Sequence, residues 1–413
     1  MTVQAEAATS VVAQPDVTVA PIRRTAIFLP LFAPFGIANG YVAVTLAFLL
    51  GRAGVSTFAI ATIIAASIWP QTWKLLWAPL VDTGGNPKLW YGAGALGVGA
   101  TLLVMSTLPA AAGALPVLTA LAVASSVAST FVSMSTEIFL THGVVETMRG
   151  RASGWGQAGN LGGSGIGGGI GLILAQHIAR PWVSGAVLAA ICVACWGFVL
   201  MLPPLPRLRP AMPYWAQLRA VVGDVLAVAR SRRGYLALAI MLLPIASAGV
   251  PWAAIAGEWH AGGDLVALVS GVVGGAVTAA GALAGGYLCD RMDVKRAYCL
   301  FGLLAGATAA MMVGAPRSPA AFVAGTLTYG LFVGGGYAAY STVVLDAIGR
   351  RSAATNFNVM AAISNVPIAG MTSFDGWMHD RYGTAAMLYG ELVLPAATIA
   401  AFALFAAATR PRA

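Results

Sequence analysis

Twelve apolar stretches follow one another along the chain, separated by short segments rich in Gly, Pro and charge. They run over 26–50, 57–79, 89–109, 114–141, 153–175, 182–203, 235–257, 265–289, 297–314, 320–345, 353–375 and 384–408. Crossing a bilayer takes about 20 residues, so each stretch predicts a membrane-spanning helix. Between them lie a polar tail at 1–24 and one longer segment at 204–234. The tail has no ordered signal-peptide pattern and reads as a disordered cytoplasmic extension.

Composition supports this reading. Hydrophobic residues make up 59% of the 413 and charged residues 9%, where soluble domains carry roughly a quarter charged. Mean hydropathy is +0.81. A water-soluble globule is excluded, and the short connections leave no room for a separate catalytic domain.

Charge then orients the spans. With the N-terminus on the cytoplasmic side, the inner segments hold 18 of the 23 basic residues, among them Lys88, Arg149, Arg151, Arg291, Lys295, Arg350 and Arg351. The outer loops hold Arg52, Arg180, Arg317 and Arg381. That bias follows the positive-inside rule and accounts for the net charge of +9 without nucleic acid as a partner. Both termini are then cytoplasmic, in an inner (plasma) membrane.

The 204–234 segment opens with Pro and Arg and continues, from Tyr214, with Trp215, Leu218, Val222, Val225 and Leu226 on one face. This predicts a helix lying on the inner membrane surface. It divides the chain into a six-helix bundle at 25–203 and a second at 235–413. The halves echo each other. Asp82 ends the second span with Lys88 after it, and Asp290 ends the eighth with Arg291 and Lys295 after it. Repeats of this kind place a site near the bilayer midplane between the halves.

The run Gly286-Tyr-Leu-Cys-Asp290-Arg291-Met-Asp-Val-Lys295 resembles the cytoplasmic loop signature of the major facilitator superfamily, with Asp293 where that family usually has Gly. Shorter runs resemble its branch of muropeptide permeases, acetyl-CoA transporters and siderophore permeases. These are Lys74-Leu-Leu-Trp77-Ala-Pro79-Leu-Val-Asp82, Thr136-Glu137 with Arg149-Gly-Arg-Ala, and Ala354-Thr355-Asn-Phe357 with Asp375-Gly-Trp377. The resemblance implies two pseudo-symmetric six-helix bundles and alternating access. It also implies that spans one, four, seven and ten surround the pathway, which favours Tyr41, Glu137, Trp252 and Tyr337. Asp82, Lys88, Arg149, Arg151, Asp290, Arg291 and Lys295 either anchor topology or close an inner gate.

Ionisable groups inside spans are costly and mark function. Lys74 and Glu137 lie at similar depths and face each other across the first bundle. Lys74 alternatively snorkels to the interface. Ser126, Ser129, Thr130, Ser133 and Glu137 form one polar stripe on the fourth span, which either lines a wet cavity or packs tightly. Trp69, Trp73 and Trp77 stack on a ring-bearing solute or form a packing ridge. Pro70 predicts a kink, with Gln71 meeting the freed backbone. The glycines of the fifth span predict close helix packing, with Gln157 and Asn160 reaching the cavity. Asn39, Tyr329, Tyr340, Ser341, Asn358, Asn365 and Thr372 are further candidates that serve either packing or a ligand. Glu391, in the peripheral twelfth span, is a weaker one.

No His or Cys cluster has metal spacing, and no nucleotide motif is present. The expectation is a monomeric secondary transporter without cofactor, importing a small amphipathic solute such as a siderophore or muropeptide with protons. Proton-driven export of drugs or metabolites is the alternative. An intramembrane enzyme would need convergent catalytic groups that the spans lack, and a scaffold would show no flux.

Overall fold

The computed structural model describes residues 22–77, 81, 86–145, 148–204, 214–245, 249–348 and 362–409. The predicted tail before Ile22, Asp82, Arg350, Arg351 and Asn358 lie outside them. All regular elements among the described residues are helical. In the first half these are α1 (Thr25–Arg52), α2 (Thr57–Trp73), α3 (Pro87–Thr107), α4 (Leu115–Gly143), α5 (149–177) and α6 (Trp182–Leu200). The linker forms α7 (Tyr214–Ala229). The second half has α8 (Arg232–Met241), α9 (252–259), α10 (Gly263–Cys289), α11 (Val294–Gly314), α12 (Pro319–Ile348), α13 (Asn365–Tyr382) and α14 (Thr384–Ala408). Seven described helices are long and apolar enough to cross a membrane by length and composition. The whole is an all-helical membrane protein with the twelve-span, six-plus-six architecture.

Helix starts follow local chemistry. Asn86 accepts the Lys88 N–H at 3.0 Å with Pro87 opening α3, and Asp293 accepts the Arg296 N–H at 3.0 Å at the head of α11. Ser231 caps α8 through the Gly234 N–H. Gly383, at φ +86°, ends α13 where a side chain would be strained. Lys88, a gating candidate, is engaged at the end of another helix. Its ammonium caps the carbonyls of Leu200 and Leu202 at the end of α6. Arg149 likewise donates to the Thr141 carbonyl at the end of α4, at 2.8 Å. Each cation satisfies carbonyls left open at a helix C-terminus.

In the first half, α1 and α5 touch backbone to backbone. A Cβ on Gly163 would strike the Ala33 carbonyl, and one on Gly36 would strike the Asn160 carbonyl. Small residues permit that approach, which is how membrane helices gain contact without a hydrophobic driving force. At the far end of the seam three wide π-helical turns meet, at Tyr41–Leu46, Ile166–Ile170 and Ala267–Val272. The Thr45 hydroxyl donates to the carbonyls of Gly167 and Gly168 at 2.9 and 3.0 Å, pairing oxygens that the wide turn frees.

Two predicted spans differ from the structure. The seventh is not one helix. It stops at Met241 and resumes at Trp252. Pro244 and Pro251 bracket the interval, and each lacks the N–H that a continuous helix needs. The eleventh runs on past residue 375 to Tyr382. Pro70 sits within a continuous α2, and the Gln71 amide donates to Asn39 Oδ1 on α1 at 2.9 Å rather than to freed backbone.

Candidate functional site

The halves meet most closely at the end that carries loops 53–56, 178–181, 260–262 and 315–318, termed the sealed end. The opposite end, with Lys88, Arg149, Arg291 and Lys295, is the basic end. Contacts between halves run α1 to α9, α5 to α10 and α2 to α13. A Cβ on Gly51 would lie 2.5 Å from the Ala254 carbonyl oxygen, and one on Gly376 would lie 2.5 Å from Ala61 Cβ, so neither has room for a side chain.

Polar contacts reinforce the seal. Asp380 of α13 accepts the N–H groups of Thr57 and Phe58 at 3.0 Å each, while Ser56 accepts that of Ala59 at 3.2 Å. Three open donors at the head of α2 are thus satisfied, two of them by a carboxylate from the other half. His379 bonds Asp380 at 3.1 Å and Glu258 at 3.0 Å. Glu258 also accepts from Thr384 and pairs with Arg317 at 3.6 Å. Arg317 in turn lies over the Trp259 ring at 4.1 Å. Glu258 lies at the end of α9 and His379 and Asp380 in the last turn of α13, at the loop margin of the sealed end. Hydrogen bonding to Glu258, against the opposing effect of burial, raises His379 above its ordinary value. Burial alone would push Glu258 up, but the bonds from His379 and Thr384 and the nearby Arg317 hold it below the usual carboxylate value. Burial also acts upward on Asp380, and the Phe58 N–H, His379 and Ser56 outweigh it, so that carboxyl is lowered as well.

Behind the seal lies a cavity of about 260 Å³. Its wall comes from α1, α2, α5, α10, α12, α13 and the irregular stretch before α9. Backbone outside a helix is tolerated at membrane depth where it lines such a space. The polar lining consists of hydroxyls, namely Ser164, Ser270, Thr278, Thr326, Tyr329 and Thr372, with Trp252 as the aromatic. No charged side chain lines it among the described residues.

Toward the basic end, Lys74 Nζ lies 3.5 Å from Glu137 Oε1. Both are part-buried, at 19% and 25% side-chain exposure, so the pair keeps contact with solvent and its energy is modest.

The other candidates separate clearly. Trp252 is in the cavity wall. Tyr41 is instead packed in the interior, 2% exposed, against Gly171. The hydroxyls of the fourth-span stripe are buried and absent from the lining of this cavity. Ser126, Ser129, Thr130 and Ser133 are buried, Thr130 accepts the Trp77 indole N–H at 3.0 Å, and Ser133 donates to the Thr130 carbonyl. Trp73 is exposed and tilted against Trp69 at 5.9 Å. Gln157 is exposed and Asn160 half-buried on the α1 seam. Tyr337 and Tyr340 wall a separate water-sized pocket with Tyr298 and Pro367. Asn365 donates to the Ala362 carbonyl at 3.2 Å. Arg151 and Asp290 are exposed, Arg291 lies over the Tyr287 ring at 3.7 Å, and Lys295 is half-buried.

Two acids stand out that were weighted lightly or missed. Glu391 of α14 is 4% exposed, accepts the Tyr329 hydroxyl at 2.9 Å and accepts the Gly249 N–H at 3.1 Å. Asp375 of α13 is fully buried beside it. A Cβ on Gly249 would strike both carboxyl groups. The available signal was an acid in each of the last two apolar spans at matching depth, seven residues from Tyr382 and from Thr384.

Twelve spans in two halves, closed at one end over a central hydroxyl-lined cavity, define a membrane solute carrier. The chain belongs to the Major Facilitator Superfamily, whose profile matches residues 27–370. No curated protein sequence matches it. Among solved structures, a D-xylose–proton symporter superposes with a TM-score of 0.71 at 12% identity, covering 94% of this chain and 97% of that one. The nucleoside transporter NupG gives 0.70 at 11% identity, covering 93% and 99%. A peptide-bound POT family transporter gives 0.67 at 11% identity, covering 93% and 96%. At these identities the likeness is one of fold. The chain is a transporter and not an enzyme.

Proposed function

We propose that the protein imports a small amphipathic solute across the inner membrane by alternating access, coupled to protons. The observation that carries this reading is the uncharged, hydroxyl-lined cavity closed at one end. Hydroxyls and one indole suit a neutral solute with both polar and apolar faces. A volume of about 260 Å³ sits below the roughly 300–1,000 Å³ of drug-sized sites. It therefore favours a small solute over an intact siderophore or muropeptide. The basic end is taken as cytoplasmic, which makes the present state inward-facing, with both termini inside. The two six-helix bundles at 25–203 and 235–413 are the rocking bodies.

In this reading Glu137, held by Lys74, is the group whose protonation is linked to solute binding. Neutralising it frees Lys74 and loosens the basic end of the first half. Linkage requires solute and proton to change each other's affinity by the same factor. The neighbouring fold of a D-xylose–proton symporter lends support to proton coupling.

Thermal-shift screening of the purified protein against sugars, nucleosides, short peptides, siderophores and muropeptides selects the solute. Uptake of that solute into proteoliposomes under an inward proton gradient then tests direction and coupling. Glu137→Gln is expected to abolish uphill accumulation while leaving solute exchange at equal pH. Unchanged accumulation removes Glu137 from the coupling. Efflux from loaded vesicles under the same gradient reverses the direction.

A further inference from the structure

Two carboxyl groups buried side by side make an unusual demand on a protein. Asp375 is fully buried and Glu391 nearly so, and neither has a cationic partner among the described residues. Glu391 already receives two donors, the Tyr329 hydroxyl and the Gly249 N–H. Asp375 oxygens receive none among the described residues. If both groups were ionised, two like charges would face each other without water or counter-ion, and Asp375 would be left unpaired. A single proton shared between them would relieve both, since Asp375 Oδ2 and Glu391 Oε1 lie together against Gly249. Buried acids arranged this way share a proton as a unit.

The pair is also placed to report on the cavity. Gly249, Tyr329 and Thr372 all line it. Gly249 belongs to the break between α8 and α9, and Thr372 lies one turn before Asp375 on α13. A solute entering the cavity, or a shift of the break, moves the donors of Glu391 directly.

We propose that Asp375 and Glu391 form a proton-holding pair that keeps one proton while the sealed end is closed and must lose it before that end can open. The proton leaves as H⁺ and returns as H⁺, with no other bond made or broken. Its role in transport rests on the reading of the chain as a proton-coupled carrier, but the occupancy of the pair does not. Among the described residues, the other titratable group facing the pair from the elements packed on it is Tyr329 of α12; the α8–α9 break contributes the Gly249 backbone.

The test is made on the full chain in nanodiscs, with no solute. Difference infrared spectroscopy detects the carbonyl stretch of a protonated carboxylic acid. The wild type and Glu137→Gln are expected to retain this band at neutral pH, and the double variant Asp375→Asn, Glu391→Gln to lose it. Carboxyl-¹³C aspartate and glutamate, incorporated separately into the wild type, assign the band without mutation. A wild type lacking the band, or a double variant keeping it, overturns the proposal. So does a band that vanishes on adding sodium, which would give the pair to a metal cation. A second readout uses spin labels at Arg52→Cys and Arg381→Cys, exposed residues of opposite halves at the sealed end. Their separation is expected to widen with rising pH in the wild type and to stay short in the double variant, which keeps the Glu258–His379 cluster. Identical pH profiles overturn the release step. Because Glu137 is untouched in the double variant, failure here and failure of coupling through Glu137 are read separately.

Discussion

The sealed end can be loosened at one side chain. Asp380→Ala removes the carboxylate that one half places on the first turn of α2 in the other, at two N–H bonds of 3.0 Å. It also removes a partner of His379. Loss of an N-cap costs about 0.5–2 kcal/mol, and a hydrogen bond to a charged group is worth about 1.5–3 kcal/mol when well buried. Asp380 is 29% exposed, so solvent takes part of that role and about 1–2 kcal/mol remains. Ser56 stays to cap Ala59, which keeps α2 itself intact. The whole penalty falls on the closed state, because Asp380 and α2 separate when the halves part. At about 1.4 kcal/mol per decade, the ratio of open to closed molecules should rise roughly tenfold. Spin-label distances between Arg52→Cys and Arg381→Cys measure it as growth of a long-distance population. Asp380→Glu should restore part of the closure. A distance distribution unchanged from the parent would refute the assignment of closure to this contact.

Other outcomes follow from the same geometry. Glu258 and His379 both belong to the second half, so their contact steadies that half: it contributes fully below the ordinary His value of 6.5 and is lost as pH rises through the elevated His379 value; on the acid side it persists below 4.5 and fails as pH falls through the lowered Glu258 value. His379→Gln should therefore flatten the neutral-to-alkaline fall in thermal stability measured in detergent. Thr45→Val keeps shape but strips the donor from the Gly167 and Gly168 carbonyls. It should cost about 1–3 kcal/mol, seen as a lower midpoint in thermal unfolding in detergent. Gly163→Leu forces a side chain against the Ala33 backbone, which cannot yield. A loss of about 1–3 kcal/mol or more is expected, with lowered yield of folded protein, whereas the same change at Gly162, which has open space, should be tolerated.

Much of the architecture was legible because a bilayer enforces it. Span length and the asymmetry of Lys and Arg do not depend on tertiary detail, so the number of crossings followed from pattern alone. Depth along a helix was legible too, and it brought Lys74 and Glu137 to matching levels, which the structure joins at 3.5 Å. Which way a side chain faces was not. Ser126, Ser129, Thr130 and Ser133 share one helical face, but hydroxyls serve a wet wall and a tight seam equally well. Only the neighbours distinguish the two, and here the Trp77 indole lies against Thr130. The break in the seventh span needed two prolines to be weighed against a continuous apolar run. Asp375 was read as part of a resemblance rather than as a charge inside hydrocarbon, and Glu391 was discounted by the position of its span. Their meeting depends on a three-helix junction that no local pattern encodes.

The seam between α1 and α5 has a mechanical corollary. Where two main chains lie in direct touch, no side chain is left to change rotamer and absorb displacement. The first half must then travel as a stiff lever. The second half has a seam just as close, where Gly281 leaves no room against the Leu331 carbonyl and Gly334 none against the Thr278 carbonyl; a place to bend is offered by 242–245 and 249–251, which have no helical repeat. Each bundle is therefore stiffest along its glycine seam, and compliance is concentrated where the seventh span is interrupted.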